Sequence, residues 1–244
     1  MKLKAIFFDL DNTLCNYSVG WESARARGIE RAYRALVAHL PGVAFPDWQR
    51  AFDKASEEVA PFWEEPVERG LPLGRERTRR ALGHLGLDPE DADPELVDAL
   101  TGAFYEAVLE HLELFPDAEE VLRALRPRFV LGIITNGPAD VQRTKIERLG
   151  LPERVDHVLI SGELGIAKPD PRIFRRALER AKAPPEAFLF VGDHPEADVQ
   201  GAKGAGLWAA WINRKGLPPP DGLEADFVIE SLVELLPRVG ATER

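Results

Sequence analysis

The feature that most constrains this chain is a rhythm of short, unbroken apolar runs, each cut off by a cluster of polar residues. Residues 4–8 run into Asp9, Leu10 and Asp11; residues 129–134 run into Thr135, Asn136 and Gly137; residues 188–191 run into Gly192 and Asp193. An apolar run of this length predicts a strand covered on both faces, the pattern of a parallel sheet. Between the runs the period becomes helical, with Ala118, Val121, Leu122 and Leu125 on one face and further helices over 139–149, 171–181 and 197–205. Strands over 156–160, 207–212 and 226–229 complete the alternation. The expectation is an α/β fold: a doubly wound parallel sheet with right-handed crossovers. Ser231 should cap a closing helix over 231–237, and the tail after Arg238 should fray.

One stretch breaks the rhythm. Ile29, Tyr33, Leu36 and Leu40 recur at helical spacing, and more helical pattern follows over 48–63, 75–85 and 94–112. Pro41, Gly42, Pro46, Pro61, Pro66, Gly70, Pro72 and Gly86 punctuate it as turns between antiparallel helices. Two units are therefore expected: a core built from residues 1–15 and 116–244, and a helical insert over 16–115.

With 244 residues, 45% of them hydrophobic, the chain can bury a sizeable core. Its net charge of −10 argues against nucleic acid as a partner. No apolar run approaches the roughly 20 residues needed to cross a bilayer, and the N-terminus enters a strand without a signal-peptide pattern. Cys15 is the single cysteine, so no intrachain disulfide forms, which fits a reducing compartment. A cytoplasmic protein acting on a small molecule, with neither membrane nor nucleic acid as partner, is expected; the oligomeric state is left open.

Ligands of open parallel sheets bind beyond the carboxyl ends of the strands, so the polar clusters can converge although they are spread along the chain. Lys168 lies several residues past its strand, and the loop over 161–169 has to fold back to bring it in. Asp9 and Asp11 point the same way from an extended chain. Two such carboxylates repel, which implies a metal, a cation or a shared proton. A calcium loop is the alternative, but its sixth position is Leu14 rather than Gly and its twelfth is Gly20 rather than Glu.

The set suits attack at phosphorus. Asp9 would be the nucleophile, and Asp11 would protonate the leaving oxygen, then activate water against the aspartyl phosphate. The Thr135 hydroxyl and the backbone donors of Asn136 and Gly137 would hold phosphate oxygens, with Lys168 balancing charge beside Asp9. Mg2+ would sit on Asp9, Asp11 and Asp193, with Asp198 either supporting that shell or simply stabilising its helix. Taken alone, Thr135 to Gly137 reads equally well as a turn, and Lys168 reads by default as a solvated surface lysine, which only a resemblance to a known family reverses. Cys15 is followed six residues on by Trp21 rather than Arg, so it lacks the loop of cysteine-based phosphatases. His39, His84, His111 and His157 have no ligand spacing. Trp21, Arg25, Arg27, Trp48, Trp63, Arg69, Arg75 and Arg77 of the insert fit substrate reading or ordinary core and surface positions, and none is assigned.

Taken together, the clusters resemble the haloacid dehalogenase superfamily of aspartate-nucleophile phosphohydrolases, in the branch with a helical cap inserted after the first motif. Asp9 to Thr13 is similar to its first motif, Ile134 to Gly137 to its second, Lys168 to Pro171 to its third, and Gly192 and Asp193 through Asp198 to its fourth. The resemblance spans the whole chain and implies a Rossmann-like core, a cap that selects substrate and a Mg2+-dependent phosphatase of small phosphorylated metabolites. It also implies that the Asp11 backbone carbonyl binds the metal and that residues 10–20 form a flexible turn and flap. His194 stands where relatives often carry Ser. Dehalogenases and phosphonate hydrolases of this scaffold typically lack the second acid, so Asp11 weighs against both. Lys54, the insert's lone lysine, keeps an imine mechanism open. A phosphomutase and a non-catalytic phosphoacceptor module are the remaining alternatives.

Overall fold

A computed structural model describes residues 2–62 and 73–241. The apolar runs form six strands: β1 (Ala5–Phe8), β2 (Val130–Thr135), β3 (His157–Ile160), β4 (Phe188–Gly192), β5 (Trp208–Ile212) and β6 (Phe227–Ile229). They make one parallel sheet in the order β3-β2-β1-β4-β5-β6. β1 lies between β2 and β4, and the winding reverses there, so the crevice beyond the ends of β1 and β4 is where such a sheet offers a site.

Alternate residues of each strand serve opposite faces and both faces are covered, which is why the runs are apolar except at a few ends such as Thr135 and His157. Ile6, Phe8, Ile133 and Val191 pack under α5 (Pro116–Leu125) and α6 (Ala139–Arg148). Ala5, Phe7, Ile134 and Phe190 pack under α8 (Pro171–Ala181), which follows the short α7 (Ser161–Leu164). The helix expected over 197–205 begins earlier, as a π-helical turn over Pro195–Gln200 that runs into α9 (Gly201–Gly204). His194 caps it: its Nδ1 accepts from the Ala197 N–H at 3.1 Å. The closing helix is a 3-10 turn, Leu232–Glu234, with Ser231 in a capping box, followed by α10 (Leu235–Arg238). The expected fraying does not begin at Val239. Ala241 is buried and its N–H donates to Leu236 O at 2.7 Å, so the chain stays bound at least that far.

The insert between β1 and α5 holds α1 (Trp21–His39), α2 (Phe45–Val59), α3 (Leu73–His84) and α4 (Pro94–Leu109). These helices share a third apolar cluster around Leu36, Trp48, Phe52, Leu82, Leu100 and Phe104. α2 ends before the expected boundary because Pro61 has no N–H to continue it, and a 3-10 turn over Ala60–Phe62 follows. Trp63, Pro66, Arg69, Gly70 and Pro72 lie outside the described residues. Trp48 is fully buried, with its indole N–H on Ile29 O at 3.1 Å. Trp48→Ala should cost about 3–5 kcal/mol, read as a lower urea midpoint.

The two connections to the insert run side by side. Phe115 N donates to Leu14 O at 2.9 Å, and Asn16 grips the returning strand through His111 O and Glu113 N at 3.2 and 3.0 Å. None of the described helices is long and apolar enough to cross a membrane.

Candidate active site

Asp9 prolongs β1 by one more ladder bond, its N–H donating to Val191 O at 2.8 Å, and the chain then turns sharply through Asn12 at φ 63°. Asp9 and Asp11 both line a cavity of about 490 Å³ at the carboxyl end of the sheet. Thr135, Asn136, Lys168, Asp193 and Asp198 line it too, so the tertiary fold brings together every residue singled out from the motifs except Gly137. Gly137 lies at the adjoining cavity, and its N–H is taken by Ser161 Oγ at 2.9 Å.

Lys168 reaches the site because Asn136 staples its backbone. The Asn136 side chain donates to Lys168 O and accepts from Lys168 N, each at 2.9 Å. Lys168 is buried and its ammonium is shared between Asp9 Oδ1 at 2.6 Å and Asp198 Oδ1 at 2.7 Å. Burial works against the charged lysine, but the carboxylates of Asp198 and Asp9 outweigh it and the pKa is raised. Asp198 also accepts from the His194 N–H at 2.9 Å, and this close seat requires Gly192, since a Cβ there would collide with the Asp198 carboxylate.

One lysine is therefore set against three acids. Carboxylate oxygens of Asp9, Asp193 and Asp198 all lie within 4.8 Å of one another. Burial raises the Asp9 pKa well above the usual carboxylate range; Lys168 opposes this, and Asp198, Asp193 and Asp11 reinforce it. Asp193 is pushed up to about 6 by burial and by the Asp198 charge. A buried acid cluster that is short of positive charge, made only of hard oxygen donors, fits a divalent cation such as Mg2+. Asp198, expected either to support the metal shell or to stabilise its helix, stands within this cluster.

The Asp11 carboxylate does not join it. Lys145 Nζ donates to both of its oxygens, at 3.0 and 2.8 Å, and Gln142 Nε2 donates to Oδ2 at 3.1 Å. The same Nε2 lies 2.5 Å from Thr135 Oγ1 and 2.9 Å from Asn136 O, so its two N–H groups are shared among three acceptors. Lys145 is buried over the Tyr17 ring, 3.1 Å from its centroid. Sequence reasoning missed this pair, although a signal exists. Gln142, Lys145, Ile146 and Leu149 occupy i, i+3, i+4 and i+7, the inward stripe of α6, and polar residues on such a stripe need buried partners.

A sequence profile of haloacid dehalogenase-like hydrolases matches residues 3–206. The chain belongs to that family. It is similar over most of its length to a phosphoserine phosphatase of Thermus thermophilus, 34% identical with 90% of this chain and 92% of that protein covered. A pyrimidine 5'-nucleotidase of Escherichia coli is 32% identical, covering 96% and 97% of the two chains. Among solved structures, a 2-haloacid dehalogenase from Pseudomonas syringae superposes with a TM-score of 0.76 at 32% identity, over 98% of both chains.

In this haloacid dehalogenase-like hydrolase the other candidate residues separate by location. Cys15 is fully buried, its thiol on Leu10 O at 3.4 Å, and burial together with Asp11 raises its pKa, so it is unreactive. Lys54 is exposed on α2 and lines neither cavity, which leaves no imine-forming lysine from the insert at the site. Trp21, Arg25 and Arg77 line the adjoining cavity, Trp48 sits in the core of the insert, and Arg75 pairs at the surface with Asp98 at 2.5 Å.

Without added divalent cation, ionised Asp193 opposes folding. Its folded pKa lies above the ordinary one, so the opposition is absent at low pH and complete above about pH 6. Asp193→Asn should therefore exceed the wild type in stability by about 1–3 kcal/mol at pH 7.5 and match it near pH 4. Urea unfolding in EDTA at both pH values checks this.

Proposed function

We propose that this hydrolase is a Mg2+-dependent phosphatase of small phosphorylated metabolites that works through an aspartyl phosphate on Asp9. The observation that carries the reading is the division of the two acids: Asp9 is set among Lys168, Asp193 and Asp198, whereas Asp11 is held apart by Lys145 and Gln142 on the same cavity wall. Asp9 attacks phosphorus while Lys168 fixes its carboxylate. Asp11 delivers a proton to the leaving oxygen and afterwards takes one from the water that cleaves the intermediate. Gln142 donates to Thr135 Oγ1, so the hydroxyl hydrogen points elsewhere; its long 3.5 Å bond to Asn136 O is readily exchanged for a phosphoryl oxygen. Asp9, Asp193 and Asp198 would hold the cation, together with the Asp11 carbonyl implied by the family motif. Bound there, it would shield carboxylate from phosphate and stabilise the charge of the transferring group.

Residues 16–115 serve as the cap that chooses the leaving group, and the buried lone thiol suits the reducing cytoplasm. The phosphatases among the relatives named above support a phosphate ester as substrate. The dehalogenase likeness supports a second reading, carbon–halogen cleavage, and the presence of Asp11 weighs against it. Phosphate release from p-nitrophenyl phosphate with Mg2+, abolished by EDTA, is the expected result. Chloride release from 2-chloropropionate in EDTA, without phosphatase activity, would overturn the reading. Lys145→Met should lower kcat about 10–100-fold while moving KM less, because it loosens Asp11 and not the phosphate clamp.

A further inference from the structure

A second cavity, of about 350 Å³, adjoins the first and shares Asp11 and Asn136 with it. Its floor is α6 with Gln142 and Lys145, and its roof is the insert, through Trp21 and Arg25 of α1, Arg77 of α3 and Tyr105 of α4. An ester with phosphorus at Asp9 and its leaving oxygen at Asp11 sends its leaving group into this space. The charges around the cavity are paired with one exception: Lys145 holds Asp11 at 2.8 Å and Arg25 holds Asp53 at 2.5 Å.

The exception is Arg77. It is 5% exposed, and among the described residues it has no carboxylate in ion-pair reach. Among the described residues its buried Nε and Nη2 have no acceptor in good hydrogen-bonding geometry; the neighbouring Tyr105 hydroxyl, otherwise unpartnered, is the polar side chain that favours its charged form. Its guanidinium carbon stacks 4.0 Å from the Phe104 ring centroid and 4.5 Å from that of Phe52. Burial lowers the Arg77 pKa, the phenols of Tyr105 and Tyr17 oppose this, and Arg25 adds to it. Aromatic faces attract the cation but leave the Nε and Nη2 donors unmet, and a buried guanidinium short of acceptors is a costly arrangement.

We propose that Arg77, seconded by Arg25, binds a further anionic group, carboxylate or phosphate, carried by the leaving group of the substrate. The inference rests on the phosphatase reading and narrows it to esters whose alcohol portion is itself an anion. A planar guanidinium suits either oxyanion through paired N–H donors.

Three matched esters test it: 2-phosphoglycolate, which adds a carboxylate; ethylene glycol bisphosphate, which adds a phosphate; and ethyl phosphate, which adds neither. The wild type with Mg2+ should favour one of the first two over ethyl phosphate by about 100-fold in kcat/KM, and which one identifies the anion. Arg77→Met should cut that ratio to below about fivefold, chiefly through KM for the anionic ester, and Arg77→Lys should restore about tenfold. An unchanged ratio in Arg77→Met, or an equal loss on all three esters, overturns the proposal. Should Arg77→Met fail to fold, the wild-type ratio and its decline in Arg25→Gln decide in its place. Turnover of p-nitrophenyl phosphate without any anion preference removes this inference alone; no turnover of any ester removes the phosphatase reading with it.

Discussion

Asp9→Asn should abolish turnover, lowering kcat on the order of 10⁴-fold or more, without unfolding the protein. The amide keeps an oxygen for Lys168 but cannot form the acyl phosphate, so the covalent route closes. Stability should move the other way. Asp9 is buried beside Asp193 and Asp198, and its raised pKa means that its ionised form weakens the fold at neutral pH without a divalent cation. A neutral residue removes that repulsion while Lys168 keeps Asp198 at 2.7 Å. Phosphate release and urea midpoints in EDTA, measured on one preparation, should therefore diverge: activity lost, midpoint equal or higher. Retained Mg2+-dependent turnover would show that Asp9 is not the nucleophile.

Lys168→Met should be damaging on both counts. It leaves Asp9 and Asp198 buried with no cation, and removing one partner of a buried ion pair costs about 3–5 kcal/mol. At about 2–4 °C per kcal/mol for a chain of this size, the melting temperature should drop by roughly 10 °C. The sign with pH follows from the shifts. The stabilisation tied to the raised lysine pKa is fully present at and below neutral pH and would be lost only in strong alkali, so the wild type has it throughout the working range. In the variant the stranded carboxylates take up protons as pH falls, so its deficit should narrow between pH 7.5 and pH 5. Mg2+ should also recover part of the deficit at pH 7.5, since it supplies the missing positive charge. Thermal scans at both pH values, with and without Mg2+, test each arm, and a deficit independent of pH would refute the electrostatic account.

Much of the sheet was legible because strand burial leaves a direct trace. A run such as Ile6-Phe7-Phe8, apolar on both faces, has few soluble solutions other than a covered parallel strand. Helices α1 to α6 and α8 were legible for the same kind of reason, their boundaries shifting by a few residues where Pro61 or a cap intervened. The segment after Asp193 was misjudged because its start depends on His194 Nδ1 and on the Asp198 carboxylate, contacts that leave no periodic trace. The tail was misjudged because Ala241 is held by a backbone bond to Leu236 and lies against the sheet's apolar cluster, which composition does not reveal.

The site divides in the same way. The sequence alone was enough to group Asp9, Asp11, Thr135 and Asp193, because polar clusters that follow strands of a parallel sheet converge at the carboxyl ends of the strands; Lys168, several residues past its strand, joined them only through the family resemblance. Only the tertiary structure decided which acid faces which cation. Lys168 meets Asp9 across 159 residues of chain and Lys145 meets Asp11 across 134. The Asn136 side chain, to which no role was given, proves to hold the Lys168 backbone, and Gln142 and Lys145 became visible only as partners of Asp11. The physical reason is that periodicity reports burial along one element, which is local. An ion pair depends on the distance between side chains of different elements, and that distance exists only once the sheet has closed.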